Sequence, residues 1–179
     1  EFLKEACKIE GIYVPAFYDV SYNENGTINS VKPNVEGAPE KIQKRIIKDF
    51  DKVYYPDNFV VPFTSIVHDR AVVEVLRGCI RGCRFCQAGF IYRPFREKNV
   101  DTITNQTKCL CEQTGYEEVS LSSLSTSDHT KINDMLNSLV DYTDKENISL
   151  SLPSLRIDNF SDELLEKIPH KNYLEFAII

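Results

Sequence analysis

A regular alternation of short apolar runs and amphipathic segments, which begins at residue 71, is the feature that most limits the fold. Four apolar runs rich in β-branched residues are strand candidates, at residues 71–76, 118–122, 148–152 and 173–178. Three helix candidates lie between them, at residues 101–114, 130–142 and 161–168. One strand and one helix together take about 30 residues, which is typical of a βα barrel or a doubly wound sheet. The sequence therefore predicts an α/β fold with parallel strands.

The first part of the chain does not follow this alternation. Residues 17–31 contain two strand-like runs around Asn25-Gly26, a pair that favours a tight hairpin turn. Residues 40–50 predict a helix, because several apolar side chains fall on one face; these are Ile42, Ile46, Ile47 and Phe50. We therefore divide the chain into a small α+β linker region, residues 1–70, and a barrel region, residues 71–179.

The ends of the chain suggest a piece of a longer protein. Residue 1 is a glutamate, the only methionine is Met135, and the last residues resemble a strand. Four predicted strands cannot close a barrel of six or eight βα units. We therefore expect an internal fragment with a truncated barrel, which would not turn over a substrate by itself.

The net charge and the distribution of apolar residues disfavour three classes of protein. The formal net charge is -6, which argues against a general nucleic-acid binder. No apolar run approaches the roughly 20 residues that cross a bilayer, and no segment resembles a secretory signal. We therefore expect a cytoplasmic protein that does not bind a membrane, in which the six cysteines are kept reduced.

Three cysteines lie close together directly after the first strand candidate. Cys79, Cys83 and Cys86 have the spacing CxxxCxxC, and Gly78 and Gly82 let the backbone wrap tightly. In βα architectures the loop after a strand carries the chemistry. Three thiolates at this spacing suit a thiophilic metal or an iron–sulfur cluster.

Two alternatives to a cluster with three protein ligands remain open. A structural zinc site needs four ligands, and the fourth would have to be His68, Cys109 or Cys111. Cys109 and Cys111 are two positions apart on a predicted helix, so their side chains diverge. An electron-transfer iron–sulfur module would usually supply four cysteines to each cluster. A site with three thiolates and one open iron is the simpler interpretation.

Basic side chains are concentrated around the cysteine loop. They are Arg77, Arg81, Arg84, Arg93, Arg96 and Lys98. We expect them to neutralise an anionic cluster and a carboxylate ligand. The alternative is a solvated basic loop.

The cysteine segment resembles the first-strand loop of the radical S-adenosylmethionine (SAM) superfamily, which has an aromatic residue before the third cysteine. Phe85 occupies that position. The segments at residues 68–75, 87–94, 120–128 and 151–158 resemble one subgroup of bacterial radical SAM proteins. Members of that subgroup resemble Fe–S oxidoreductases and carry an N-terminal domain of the cobalamin-binding type. The resemblance spans almost the whole chain.

The resemblance implies a set of ligands for a 4Fe–4S cluster and for SAM. Cys79, Cys83 and Cys86 would ligate the cluster, SAM would bind its open iron, and the backbone at Phe85 would contact the adenine. Cleavage of SAM would then give a 5′-deoxyadenosyl radical, which acts on a substrate that the sequence does not identify. A reductant such as flavodoxin or ferredoxin would supply the electron, and any cobalamin would bind in an N-terminal domain outside this chain.

Three further residues are candidates for contacts with SAM. The superfamily often ends its second strand with Gly-Gly-Glu, which holds the amino group of SAM, and Ser122 and Ser123 occupy that place here. Arg156, at the end of the third strand, is a candidate for the carboxylate of SAM; the alternative is a structural ion pair with Asp158 or another acid. Glu74 lies inside the first strand and would point into the barrel, where it either has a functional role or is a lining residue without one.

Overall fold

A computed structural model of the chain describes residues 1–156, 158 and 176–178. The chain forms two compact units, Glu1–Lys48 and Asp49–Ile179. The division into a linker region of residues 1–70 and a barrel region of residues 71–179 stays a prediction about domain organisation. Among the described residues, the helices are all too short or too polar to cross a membrane.

The first unit contains the predicted hairpin. After a short helix, α1 (Phe2–Ala6), strand β1 (Tyr18–Tyr22) pairs antiparallel with β2 (Ile28–Pro33). Between the strands, the N–H of Asn23 donates to the carbonyl of Thr27 over 2.8 Å. Gly26 takes a φ of +80°, a conformation that glycine adopts without strain. The Asn-Gly signal in the sequence therefore predicted this turn correctly.

Residues 40–50 do not form the predicted helix, and this part of the prediction is wrong. Ile42 is half-buried in the first unit, whereas Phe50 is buried in the second. Ile46 and Ile47 remain exposed. A short helix is stable only when its apolar face is covered, and here the apolar residues are divided between two units, so no single surface covers them.

The second unit begins with a strand, a loop and a small antiparallel pair. In chain order the elements are β3 (Ala71–Glu74), β4 (Leu76–Arg77), α2 (Ala88–Ile91) and β5 (Arg96–Glu97). Strand β3 ends earlier than predicted, because β4 leaves the main sheet and pairs with β5.

The remaining elements alternate as the sequence predicted. They are α3 (Val100–Thr114), β6 (Glu118–Ser122), α4 (Ile132–Glu146), β7 (Ser149–Leu155) and β8 (Phe176–Ile178). The main sheet has the order β3-β6-β7-β8, and every neighbouring pair in it is parallel. The predicted α/β fold with parallel strands is therefore confirmed. The helix predicted at residues 161–168 and the first residues of the strand predicted at 173–178 lie outside the described residues.

The helices α3 and α4 both end at residues that can adopt the left-handed conformation. Gly115 follows α3 with a φ of +70°, and its N–H donates to the carbonyl of Cys111 over 2.9 Å. Asn147 ends α4 with a φ of +56°. Glycine and asparagine are the residues that most often end helices in this way.

Among the described residues of the second unit, the buried apolar side chains form one core between the sheet and the helices α3 and α4. Helix α3 packs on β3 and on α4, and α4 packs on β7. The fully buried side chains come from both layers: Val73, Ile103, Val119, Leu121, Met135, Leu136, Leu139 and Leu152. Burial of this apolar surface fixes the register of the strands, and with it the position of the loops that follow their carboxyl ends.

Replacing Val73 by alanine should destabilise the second unit by about 2 kcal/mol, because two buried methyl groups are lost and a cavity is left. Val72, the adjacent residue on β3, is 48% exposed, whereas Val73 is 0% exposed. The matched Val72→Ala variant should lose much less unfolding free energy. Urea unfolding of both variants measures the difference, and equal losses would contradict this account of the core.

Cys111 gives the core a dependence on pH. Burial raises the pKa of its thiol to about 11. A raised pKa stabilises the folded state below the unfolded value, near 9.0, and this contribution is lost as the pH rises through about 11. Between these pH values the wild-type protein should lose about 2 kcal/mol of unfolding free energy that Cys111→Ala does not lose. The Cys109→Ala variant, changed on the same helix, should show the same fall in unfolding free energy with pH as the wild type. If the unfolding free energies of wild type and Cys111→Ala depend on pH in the same way, the prediction is wrong.

Candidate functional site

The cysteine loop is closed at its base by the β4–β5 pair. Leu76 pairs with Glu97 and Arg77 with Arg96, so the two ends of the loop of residues 78–95 lie side by side. We call this closed base of the loop its neck. Gly78 lies at this neck with a φ of +86°, and a Cβ atom there would come within 2.7 Å of two backbone carbonyl oxygens, those of Tyr92 and Pro94. Only glycine fits this close approach. The neck therefore explains Gly78, one of the two glycines in the cysteine segment.

The three predicted cysteine ligands line one cavity of about 380 Å³. Each of them is partly exposed. The other residues that line this cavity are Arg81, Phe85, Leu124, Ser125, Ser154 and Arg156. The structure therefore brings together Cys79, Cys83, Cys86, Phe85 and Arg156, which were selected from the sequence. It also adds two serines, Ser125 and Ser154, which were not.

Hydrogen-bond donors are directed at two of the cysteine sulfurs. The backbone N–H of Arg81 donates to Cys79 Sγ over 3.4 Å, and Arg156 Nη1 lies 3.9 Å from Cys83 Sγ. Donors of this kind tune an iron–sulfur cluster. In the part of the chain that the structure describes, no group of three or more Cys, His, Asp or Glu side chains is arranged to hold a single metal ion. Three thiols around one cavity, with N–H donors to sulfur, are a donor set that fits an iron–sulfur cluster.

Ser122 and Ser123 line a neighbouring cavity of about 320 Å³ and not the cysteine cavity. Ser123 Oγ accepts a hydrogen bond from the N–H of Ser125 over 3.1 Å and lies 2.7 Å from Thr126 Oγ1. Leu124 lines both cavities. The hydroxyl group of Ser123 is therefore engaged in the turn that follows β6. The predicted contact of Ser122 and Ser123 with SAM stays a prediction.

The contacts of Arg156 are compatible with both roles considered for it, a ligand of the SAM carboxylate and a partner in an ion pair. Its guanidinium makes a two-pronged ion pair with Asp158, with Nε···Oδ1 at 2.9 Å and Nη2···Oδ2 at 2.7 Å. This pair raises the pKa of Arg156 and lowers that of Asp158. Asp158 is about half exposed, so solvent weakens the pair. The guanidinium also lines the cysteine cavity, where a carboxylate ligand would meet it.

The basic side chains around the loop mostly contact other protein groups. Arg77 pairs with Glu74, Arg81 pairs with Asp128, and the side chains of Arg93 and Arg96 donate to backbone carbonyls. Glu74, with Arg77, lines the neighbouring cavity. These arginines therefore already have protein partners, and their neutralisation of a cluster stays a prediction.

Lys98 is the most buried cation of this set, at 3% exposure. Its Nζ donates to Gln106 Oε1 over 2.8 Å and lies 5.3 Å and 5.2 Å from the ring centroids of Phe50 and Tyr55. Burial is the main cause that lowers its pKa. Lys98 is therefore part of the packing beneath the loop.

The other candidate ligands for zinc lie away from the cysteine cavity. Cys109 and Cys111 are both on α3, as predicted. Cys111 is buried in the core, and Cys109 Sγ lies 3.7 Å from the carbonyl oxygen of Asp57. His68 is exposed, and none of these three residues lines the cavity.

Comparison with known proteins finds similar sequences in an archaeon. The relatives include an uncharacterized protein of Methanocaldococcus jannaschii, 31% identical over 147 residues, which are 77% of this chain and 32% of that protein. A putative methylthiotransferase of the same archaeon is 25% identical over 170 residues, which are 86% of this chain and 37% of that protein. The chain spans about a third of the length of these curated relatives.

The family comparison covers the cysteine loop and the sheet that positions it. The model of the radical SAM superfamily matches residues 73–178, which is more than half of the chain. The match includes Cys79, Cys83 and Cys86, the parallel strands β6 and β7, and Arg156. The chain therefore belongs to the radical SAM superfamily, a family of enzymes.

Proposed function

We propose that this chain carries the cluster-binding and SAM-binding part of a radical SAM enzyme. The observation that carries the proposal is that Cys79, Cys83 and Cys86 line one cavity together with Arg156 and Phe85. When bound there, a 4Fe–4S cluster supplies one electron to SAM, whose cleavage gives methionine and a 5′-deoxyadenosyl radical that takes a hydrogen atom from the substrate. Three cysteine ligands leave the fourth iron open, and this is where SAM would bind.

The residues around the cavity would orient SAM. The guanidinium of Arg156 suits a carboxylate, with which arginine forms two parallel hydrogen bonds. Phe85 lies at the rim of the cavity, 83% exposed, and its backbone is the candidate for the adenine. Ser154 adds a hydroxyl group that can donate and accept, whereas Ser125 Oγ donates to Asp128 and can only accept from a ligand. Ser122 and Ser123 stay candidates for the amino group through the resemblance to the superfamily alone.

The partners in the proposal follow from the chemistry of the cluster. A reduced flavodoxin or ferredoxin is the class of donor that would supply the electron, and the reducing cytoplasm would keep the cysteines free as thiols. Cobalamin belongs to the proposal only through the resemblance to the subgroup. A cobalamin absorbance spectrum of the full-length protein tests it. The substrate is not identified by the residues of the cavity.

Replacing Cys83 by alanine in the full-length protein should remove the cluster and abolish SAM cleavage, because two protein ligands remain. Replacing Cys109 by alanine should do neither, since Cys109 lies on α3 away from the cavity. The measurements are iron and acid-labile sulfide after anaerobic reconstitution, and 5′-deoxyadenosine formed with dithionite and SAM. A wild-type protein that holds zinc without sulfide would favour the zinc alternative. A Cys83→Ala variant with the wild-type rate would also contradict the proposal.

Arg156→Gln should raise the KM for SAM by roughly 10- to 100-fold, the effect of losing a hydrogen bond to a charged group, while the cluster content stays near the wild-type value. Asp158→Asn is the matched control, because it breaks the ion pair of Arg156 and leaves the guanidinium in place. If Arg156 acts only through that pair, both variants will have the same KM. Equal KM values in the two variants would therefore assign Arg156 a structural role.

A further inference from the structure

A buried polar turn follows β6 and lies beside the cysteine cavity. It is a short 3-10 turn, Thr126–Asp128, with Ser125 before it and His129 after it. These five polar residues are all 9% exposed or less. Buried polar groups need hydrogen-bond partners, and two of the segments that supply them, the end of β7 and the cysteine loop, border the cavity.

One side of the turn is attached to the end of β7. The hydroxyl group of Thr126 donates to the carbonyl of Pro153 over 2.8 Å, and Ser127 Oγ accepts from the N–H of Arg156 over 3.3 Å. These bonds connect the turn to the part of β7 that supplies Arg156 to the cavity. The turn is therefore held in place from the side of the sheet.

Asp128 connects the same turn to the cysteine loop. Its carboxylate accepts from Arg81 Nε over 2.9 Å, from Arg81 Nη2 over 2.5 Å and from Ser125 Oγ over 2.7 Å. The side chain of Asp128 is 2% exposed and that of Arg81 is 35% exposed. A carboxylate this deeply buried needs a cationic partner. The hydrogen bond from Arg81 is the main cause that lowers the pKa of Asp128, so the pair is ionic at neutral pH.

Arg81 lies in the spacer between Cys79 and Cys83, and it is held at its backbone as well. Its N–H donates to Cys79 Sγ over 3.4 Å, and its carbonyl accepts from Arg93 Nη2 over 3.4 Å. With its side chain fixed by Asp128, Arg81 is therefore held at three places. A spacer of three residues that is fixed at its middle residue restricts the positions of both flanking sulfurs.

We propose that Asp128 is a positioning residue that acts through Arg81. It holds the cysteine loop in the shape that receives the cluster, and it cancels the charge of Arg81 beside that cluster. The proposal deepens the function proposed above and rests on it where it refers to the cluster. The hold on the loop is independent of that function, because it concerns the protein without its cluster.

The first test measures access to the thiols in full-length protein without its cluster. Iodoacetamide labelling, followed by mass spectrometry, gives the rate at each cysteine, and Cys109 on α3 serves as the internal reference. In Asp128→Asn the rates at Cys79, Cys83 and Cys86 relative to Cys109 should rise roughly tenfold. Loss of a charge-assisted hydrogen bond shifts a local opening equilibrium by about that factor.

The matched control is Glu118→Gln. Glu118 makes a partly buried ion pair with Arg70 over 2.7 Å, at the start of β6 and therefore at the opposite end of that strand. Its loss should leave the labelling ratios unchanged. Equal rises in Glu118→Gln and Asp128→Asn would show that general destabilisation is the cause, and this would overturn the proposal.

The second test measures the midpoint potential of the reconstituted cluster by a redox titration followed by electron paramagnetic resonance. In Asp128→Asn the charge of Arg81 is no longer cancelled, so the potential should become more positive. In Arg81→Lys the charge is kept, so the potential should not move. The labelling ratios should still rise in this variant, because an ammonium group cannot form the two-pronged contact.

Each result decides the proposal. Unchanged labelling ratios in Asp128→Asn, or an unmoved midpoint potential, would overturn it. If Asp128→Asn does not fold, Arg81→Lys decides, and unchanged ratios in that variant would overturn the proposal as well. If the wild-type protein binds no cluster, the function proposed above fails, while the labelling ratios still decide whether Asp128 holds the loop.

Discussion

The change of hydrogen-bond partner at Val75 is the constraint on which the cysteine loop depends. The N–H of Val75 donates to the carbonyl of Ser122 on β6 over 3.0 Å, while its carbonyl accepts from the N–H of Lys98 over 2.9 Å. The chain therefore leaves the parallel sheet within one residue and continues as β4, which pairs with β5. Because Val75 is fully buried, this change of partner is anchored in the core. The neck at Gly78 then follows, and the three cysteines are held above the carboxyl ends of the strands.

The parallel sheet supplies the other side of the cavity. The segment after β6 and the carboxyl end of β7 lie at the same edge of the sheet as the cysteine loop, since the strands β3, β6 and β7 run in one direction. Ser125 follows β6, and Ser154 and Arg156 lie at the end of β7. Ser154 has a φ of +60°, and the register of β7 against β8 shifts between Leu152 and Leu155. A bulge of this kind re-aims a side chain at a sheet edge, and Ser154 is thereby directed to the cysteine cavity.

The sequence predicted the elements with strong periodic signals and missed those defined by distant partners. The strands β3, β6 and β7 and the helices α3 and α4 were predicted because apolar spacing and end signals are local properties. The two-residue strands β4 and β5 have no periodic signal, so the neck was not predicted. The helix at residues 40–50 was predicted from a local apolar pattern, but no single surface of the fold packs against that apolar face, and the helix does not form. The cysteines were found because their spacing is itself the signal. Ser125 and Ser154 enter the cavity through backbone geometry, which residue types alone do not reveal.

The pairing of the arginines changes the electrostatic interpretation of the site. From sequence, the basic residues near the loop were expected to neutralise a cluster and a carboxylate ligand. Asp128 was not recognised as the partner of Arg81, and Asp158 was considered only as an alternative partner of Arg156. Asp128 is 47 positions from Arg81 and Asp158 is two positions from Arg156. Each pair keeps its guanidinium oriented while adding little net charge. On the proposed function this arrangement suits SAM, which carries an ammonium, a sulfonium and one carboxylate. A cavity of unpaired arginines would repel such a cationic ligand, whereas oriented, charge-balanced arginines can bind its carboxylate without opposing the two positive groups.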